Sequence, residues 1–122
     1  YINFFIKKRR AVAHKYFNGI KGLDVEMPIV NKKNFHVFHI FAVCHPKRNL
    51  ILRKMKLKNI NLGIHYPYPI HTMKAYRRNI SSSRNQLTET EKKAKMIFSL
   101  PIYPSVKNHE IENIIKNINK IL

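Results

Sequence analysis

The chain has 122 residues, about one domain's worth, with 44% hydrophobic and 11% aromatic residues, too many for a disordered tail. Its 24 Lys+Arg face only 6 Asp+Glu, a formal net charge of +18 that would attract phosphate-rich partners. A lone cysteine, Cys44, excludes an internal disulfide framework, and no apolar stretch approaches the roughly 20 residues needed to cross a bilayer. The first residues place Lys7 to Arg10 after the apolar Tyr1 to Ile6, the reverse of a signal peptide. With no initiating methionine, the expectation is a soluble, intracellular chain that is a processed product or a fragment.

In chain order, Ile2, Phe5, Ile6, Ala13, Tyr16, Phe17 and Ile20 fall near helical spacing, with Lys7 to Arg10 on the wet face. Gly19 and Gly22 would stop this helix by adopting left-handed backbone. Residues 35–43, rich in aromatic and β-branched side chains, predict a covered strand ended by Pro46. Asn49 is placed to cap a short helix through Leu50, Ile51, Leu52 and Met55. Asn59 and Asn61 punctuate that helix, and residues 62–66 predict a brief strand running into Pro67 and Pro69. A polar loop covers residues 77–86. Thr88 and Glu91 then have the spacing of a capping box for a helix that carries Ala94, Ile97 and Phe98 inward, with Pro101 and Pro104 forbidding continuation. Ile111, Ile114, Ile115, Ile118 and Ile121 trace a final amphipathic helix. The resulting fold class is α+β, a small antiparallel or mixed sheet with flanking helices.

Most candidate chemistry fails on spacing. His36 and His39, three apart on a predicted strand, would face opposite sides and not share a metal ion. Adjacent Cys44 and His45 would likewise point apart, leaving Cys44 as a small core residue. With only Gly19, Gly22 and Gly63 there is no glycine-rich phosphate loop. The basic residues are mostly lysine and accompany abundant isoleucine and asparagine, all served by A- and T-rich codons, so coding bias is an alternative source of the charge. Residues 63–71 differ, because His65, Tyr66, Tyr68 and His71 concentrate hydrogen-bonding rings on backbone that Pro67 and Pro69 hold extended. A surface loop anchored by Tyr66 and Tyr68 is the competing reading.

The run Gly63-Ile64-His65-Tyr66-Pro67-Tyr68-Pro69-Ile70-His71, followed by Ala75-Tyr76, resembles the G-I-H-Y-P-x-P-x-H…A-Y signature of the DegT family of sugar-nucleotide aminotransferases. Arg9-Arg10-Ala11-Val12-Ala13 with Tyr16, the segment His36 to Phe41, and Ser99-Leu100-Pro101-Ile102-Tyr103-Pro104 resemble three further family motifs in the family's order. Lys47-Arg48-Asn49 departs from its usual Arg-Asp pair, Leu87-Thr88 from its Phe-Pro, and Asn59 and Asn61 from its glycines. The resemblance implies that residues 1–122 are the C-terminal small domain of a fold-type-I enzyme whose large cofactor-binding domain is absent. It further implies pyridoxal phosphate held mainly by that missing domain, with its Schiff-base lysine there too, and a nucleotide-diphosphate keto-sugar and glutamate as substrates. A cytoplasmic homodimer serving amino-sugar and cell-surface polysaccharide synthesis would be the complete enzyme, and the fragment alone would be inactive. By the same resemblance His65 and Tyr66 line the substrate side of the cleft, with His71 and Tyr76 close behind. Charge adds Lys74, Arg77 and Arg78 as diphosphate partners. The alternatives are a related dehydration enzyme with the same cofactor, a stand-alone basic module binding RNA or DNA, and an inactive remnant.

Overall fold

Two strands form the centre of the structure, a computed structural model that describes residues 1–76 and 87–122. Strand β1, Phe41–Cys44, runs antiparallel to β2, Ile97–Leu100, with Phe41 opposite Leu100 and Val43 opposite Phe98. Single bridges from Glu26 to Cys44 and from Gly63 to Ser99 add one further rung on each side of the pair. Helices flank this sheet: α1 (Ile2–Gly19), α2 (Arg48–Lys56), α3 (Thr88–Met96) and α4 (Asn108–Asn119). Two short 3₁₀ turns, Ile70–Thr72 and Lys74–Tyr76, follow the proline-rich run. The α+β expectation holds.

The core follows the helical periodicities. On α1, Val12, Ala13 and Tyr16 are buried, and on α4 Ile111, Ile114 and Ile118. They meet Phe41, Val43, Phe98 and Leu100 from the sheet and Ile51 and Met55 from α2. Phe17, Phe38 and Tyr16 gather around Phe41, at ring separations of 5.1, 5.9 and 5.2 Å, where apolar area and edge-on ring contacts both contribute. Ile2 and Phe5, expected on the buried face, are exposed, because only the later turns of α1 reach the sheet. The tyrosine hydroxyl of Tyr16 donates to the Pro101 carbonyl at 2.7 Å, tying α1 to the end of β2.

Several local expectations are corrected. Gly19 and Gly22 do not take left-handed backbone, since no glycine has positive φ among the described residues and α1 ends on an extended Ile20. Gly19 instead makes room: a Cβ there would lie 2.8 Å from Ile115 Cδ1. The strand expected over 35–43 shrinks to Phe41–Cys44, because Phe38 has φ 50 and its amide donates to His36 Nδ1. Arg10 holds that bend to α1 by stacking on Phe35 and donating to the His36 carbonyl.

Asn49 lies inside α2 and accepts from Arg48 Nε, while buried His45 organises the helix start by accepting from the Lys47 amide. The strand expected over 62–66 reduces to the one bridge at Gly63. Thr88 is the first helical residue of α3 and caps nothing, because Glu91 reaches across to His71. The helix expected to carry Ile97 and Phe98 stops at Met96, and those residues build β2, where pairing with β1 satisfies their backbone groups. Asn59, by contrast, does adopt left-handed backbone, φ 58, as an asparagine after a helix can. The polar loop over 77–86, with Arg77 and Arg78, lies outside the described residues.

Candidate functional site

The Gly63–Ser99 bridge fixes the start of the proline-rich run against β2, with amide-to-carbonyl distances of 2.8 and 3.2 Å. Immediately after it, His65 folds back over Gly63. A Cβ at Gly63 would lie 2.7 Å from His65 Cε1, closer than real contacts allow, so glycine is what admits the ring. His65 Nδ1 is hydrogen-bonded to the hydroxyl of Ser99, 2.9 Å away on β2. That bond occupies one ring nitrogen and orients the other, Nε2. The His65–Tyr66 peptide is cis, and the two rings meet edge-on at 5.7 Å. Tyr66 is 71% exposed.

His65 and Tyr66 stand together on a cleft of about 430 Å³ whose other walls include His39, Asn61, Ser99 and Tyr103. Among the described residues, no lysine, arginine or carboxylate lines it. Such a lining, of imidazole, phenol, hydroxyl and carboxamide groups, suits a neutral ligand rich in hydroxyl or carbonyl oxygens.

His71 does not share that cleft. It is buried at 6% exposure and bonds Glu91 of α3 through Nε2 at 2.9 Å, which pins the 3₁₀ turn to the helix. It lines a second, largely apolar groove of about 690 Å³ with Tyr66, Tyr68, Met73 and Ile97. Tyr76 is half-exposed and lines neither, and Lys74 is exposed. Of the four residues singled out in the sequence, the structure therefore joins two. Ser99 and Tyr103 were visible only within the Ser99–Pro104 run, His39 only within the His36–Phe41 segment and Asn61 only as a departure from a family glycine; no spacing joined them to His65, because the fold brings them there.

Elsewhere, burial raises the Cys44 thiol above its ordinary value; Lys93 lowers it and Glu26 raises it further. His45 is committed to the start of α2, so it does not serve Cys44 as a base. No group of three or more metal-ligating side chains occurs among the described residues. No described helix is long and apolar enough to cross a membrane.

Residues 1–119 match the profile of the DegT/DnrJ/EryC1/StrS aminotransferase family. The chain belongs to this family. It is 33% identical over 126 aligned residues to the dTDP-3-amino-3,4,6-trideoxy-alpha-D-glucose transaminase of Micromonospora megalomicea subsp. nigra, covering 99% of this chain and 33% of that protein. Its fold matches that of DesV from S. venezuelae, solved in complex with a ketimine intermediate, with TM-score 0.86 and 23% identity over 95% of this chain and 31% of that one. The PLP-form of Spr1654 from Streptococcus pneumoniae matches with TM-score 0.81 and 17% identity, over 96% and 31% of the two chains. This chain thus spans about a third of the length of the relatives it matches.

Aminotransferases of the DegT family depend on pyridoxal phosphate. That group needs an uncharged lysine amine for its imine and a cationic or amide cradle for its phosphate. Among the described residues, the His65 cleft has no lysine for the imine and one carboxamide, Asn61, toward a phosphate. Lys93, on the neighbouring groove, is bonded to Glu26, and that hydrogen bond raises its pKa, keeping it the ammonium. The described residues do not by themselves fit the cofactor.

Proposed function

We propose that residues 1–122 are the C-terminal small domain of a pyridoxal-phosphate-dependent aminotransferase acting on nucleotide-linked keto-sugars, and that this domain supplies the sugar side of the active site. The observation that carries the reading is the His65–Ser99 hydrogen bond, which sets an imidazole and the Tyr66 phenol on one uncharged cleft. When the serine hydroxyl donates to Nδ1, His65 carries its proton on Nε2, ready to donate to a sugar oxygen. Tyr66 supplies a second group of the same kind. Glutamate as amino donor, a homodimer, a cytoplasmic location and a role in amino-sugar and polysaccharide synthesis belong to the same reading. So does a large domain holding the cofactor and its lysine, and this domain alone is inactive. His71 acts through the fold, by anchoring the run that carries Tyr66 to α3.

Two experiments test this. An open reading frame continuing upstream of the Tyr1 codon into an α/β domain with a Schiff-base lysine is expected; a stop followed closely by a start codon would count against the reading. In the complete enzyme, His65→Ala and Tyr66→Phe should each lower kcat/KM for the keto-sugar about tenfold, the worth of one uncharged hydrogen bond. Unchanged turnover and affinity in the double variant would sink the assignment.

A further inference from the structure

The inward-facing stripe of α1 does not stop where the core does. Ile2, Phe5, Arg9, Val12 with Ala13, and Tyr16 recur every three or four residues along one face. Val12, Ala13 and Tyr16 are buried in the core, whereas Ile2 is 65% and Phe5 40% exposed. The first turns of the helix therefore overhang the body with their inward face bare. Phe4 lies off this stripe, beneath the Lys8 ammonium. Arg9 sits at the junction between the packed and the bare turns. Its Nε is shielded from water and, among the described residues, has no hydrogen-bond partner. A guanidinium N–H taken out of water is costly unless an acceptor meets it. This chain has few to offer. It holds six side-chain carboxylates, none of them between Glu26 and Glu89, and Glu26, Glu91 and Glu110 are already bonded elsewhere.

We propose that the overhanging face of α1 docks a protein surface that is apolar opposite Ile2 and Phe5 and presents a carboxylate to Arg9, and that this surface belongs to the large domain of the complete enzyme. The inference rests on the small-domain reading above and adds to it the contact that holds the two domains together. The relatives are about three times as long as this chain, so one polypeptide has the length to supply the covering domain. Charge disfavours a second copy as the occupant. Two such stripes face to face would bring Lys7, Lys8, Arg9 and Arg10 of both copies together. Shape disfavours a bilayer. Ile2 and Phe5 point to the side of α1 on which the core lies, so overhang and body form an inside corner that a flat surface does not enter.

The test compares the 122-residue chain with the complete enzyme, by hydrogen exchange of α1 amides 5–10 and by urea unfolding. Those amides are expected to exchange about tenfold more slowly, or slower still, in the complete enzyme, where the face is covered. Arg9→Met keeps the aliphatic stem and removes the guanidinium. In the complete enzyme it should forfeit about tenfold of that protection, the worth of one charge-assisted hydrogen bond. In the 122-residue chain it should leave the urea midpoint unchanged or raise it, because an unpaired group is removed. Phe5→Ser should likewise spare the 122-residue chain and unprotect α1 in the complete enzyme. Equal effects of either substitution in both proteins would overturn the proposal. So would a dimer of the 122-residue chain that Phe5→Ser dissolves, or binding to phosphatidylserine vesicles that Phe5→Ser abolishes. If His65 and Tyr66 prove dispensable for keto-sugar turnover while Arg9→Met acts only in the complete enzyme, the sugar reading fails and the docking face stands. The reverse pair of results removes the docking face and leaves the sugar reading in place.

Discussion

Replacing Tyr16 with phenylalanine removes one atom from the most buried aromatic in α1 and isolates what its hydroxyl does. That hydroxyl donates to the Pro101 carbonyl at 2.7 Å, and Pro101 directly follows the strand that carries Ser99. With the ring retained, the loss is one hydrogen bond to a partly buried carbonyl, about 1.5 kcal/mol. In a domain of this size that corresponds to a fall of about 5 °C in Tm. The pH dependence gives a second, independent signature. Burial first, and the neighbouring Tyr103 second, push the Tyr16 phenol well above its ordinary value of 10.0. A group bound to its proton more tightly in the folded state gives its full stability below the unfolded pKa and loses it as pH rises past that value. Above pH 10 the native protein should therefore lose about 1.4 kcal/mol per pH unit from this group alone. The variant lacks that loss, so the stability gap near pH 7 should close by about pH 11. Urea unfolding of both proteins near pH 7 and pH 11 measures it. A gap that stays constant between the two, or one that is negligible near neutrality, refutes the reasoning.

Gly63→Ala should displace the His65 ring, because the added methyl carbon would meet Cε1 at 2.7 Å. Loss of the His65–Ser99 hydrogen bond, read from the imidazole ¹⁵N shifts, is the expected result; an unmoved ring would show that the glycine is not what admits it. The charge predicts a weak, sequence-blind attraction to polyanions. Among the described residues, three of the carboxylates are already bonded, Glu26 to Lys93, Glu91 to His71 and Glu110 to the Lys107 amide, so most basic side chains lack a carboxylate partner. Binding to a single-stranded oligonucleotide should fall at least tenfold between about 50 and 200 mM salt and ignore substitution of His65 and Tyr66. Salt-insensitive binding that needs those residues would instead make nucleic acid the ligand of the cleft.

The elements legible in the sequence are those whose own residues bury one face. The isoleucines of α4 repeat every three or four positions, and Ile111, Ile114 and Ile118 do lie in the core. The later turns of α1 are legible in the same way. β2 was not, since Ile97 and Phe98 fit the end of a helical stripe as well as a strand. Four residues are too few for a period to decide, and the choice is made by hydrogen bonds to β1, more than fifty residues earlier. The expected capping box at Thr88 failed for a related reason. Glu91 had the right spacing to bond its own chain, yet a buried imidazole twenty residues away needed a partner more than the helix end did.

The site divides along the same line. His65 and Tyr66 belong to a contiguous run with a recognisable pattern, so the sequence could nominate them. It could not separate them from His71, which sits in that run, has the same chemistry and turns to α3. What separates them is where the backbone leaves the sheet. The bridge at Gly63 delivers His65 to Ser99, the prolines carry the chain past Tyr66 and Tyr68, and the 3₁₀ turn at Ile70 buries the next imidazole. The run therefore does two jobs at its two ends. Its first half presents rings to an uncharged cleft, and its second half holds that presentation still by locking onto a helix. A glycine that admits one histidine ring and a carboxylate that fixes the other are the contacts that make one motif both a binding edge and its own anchor.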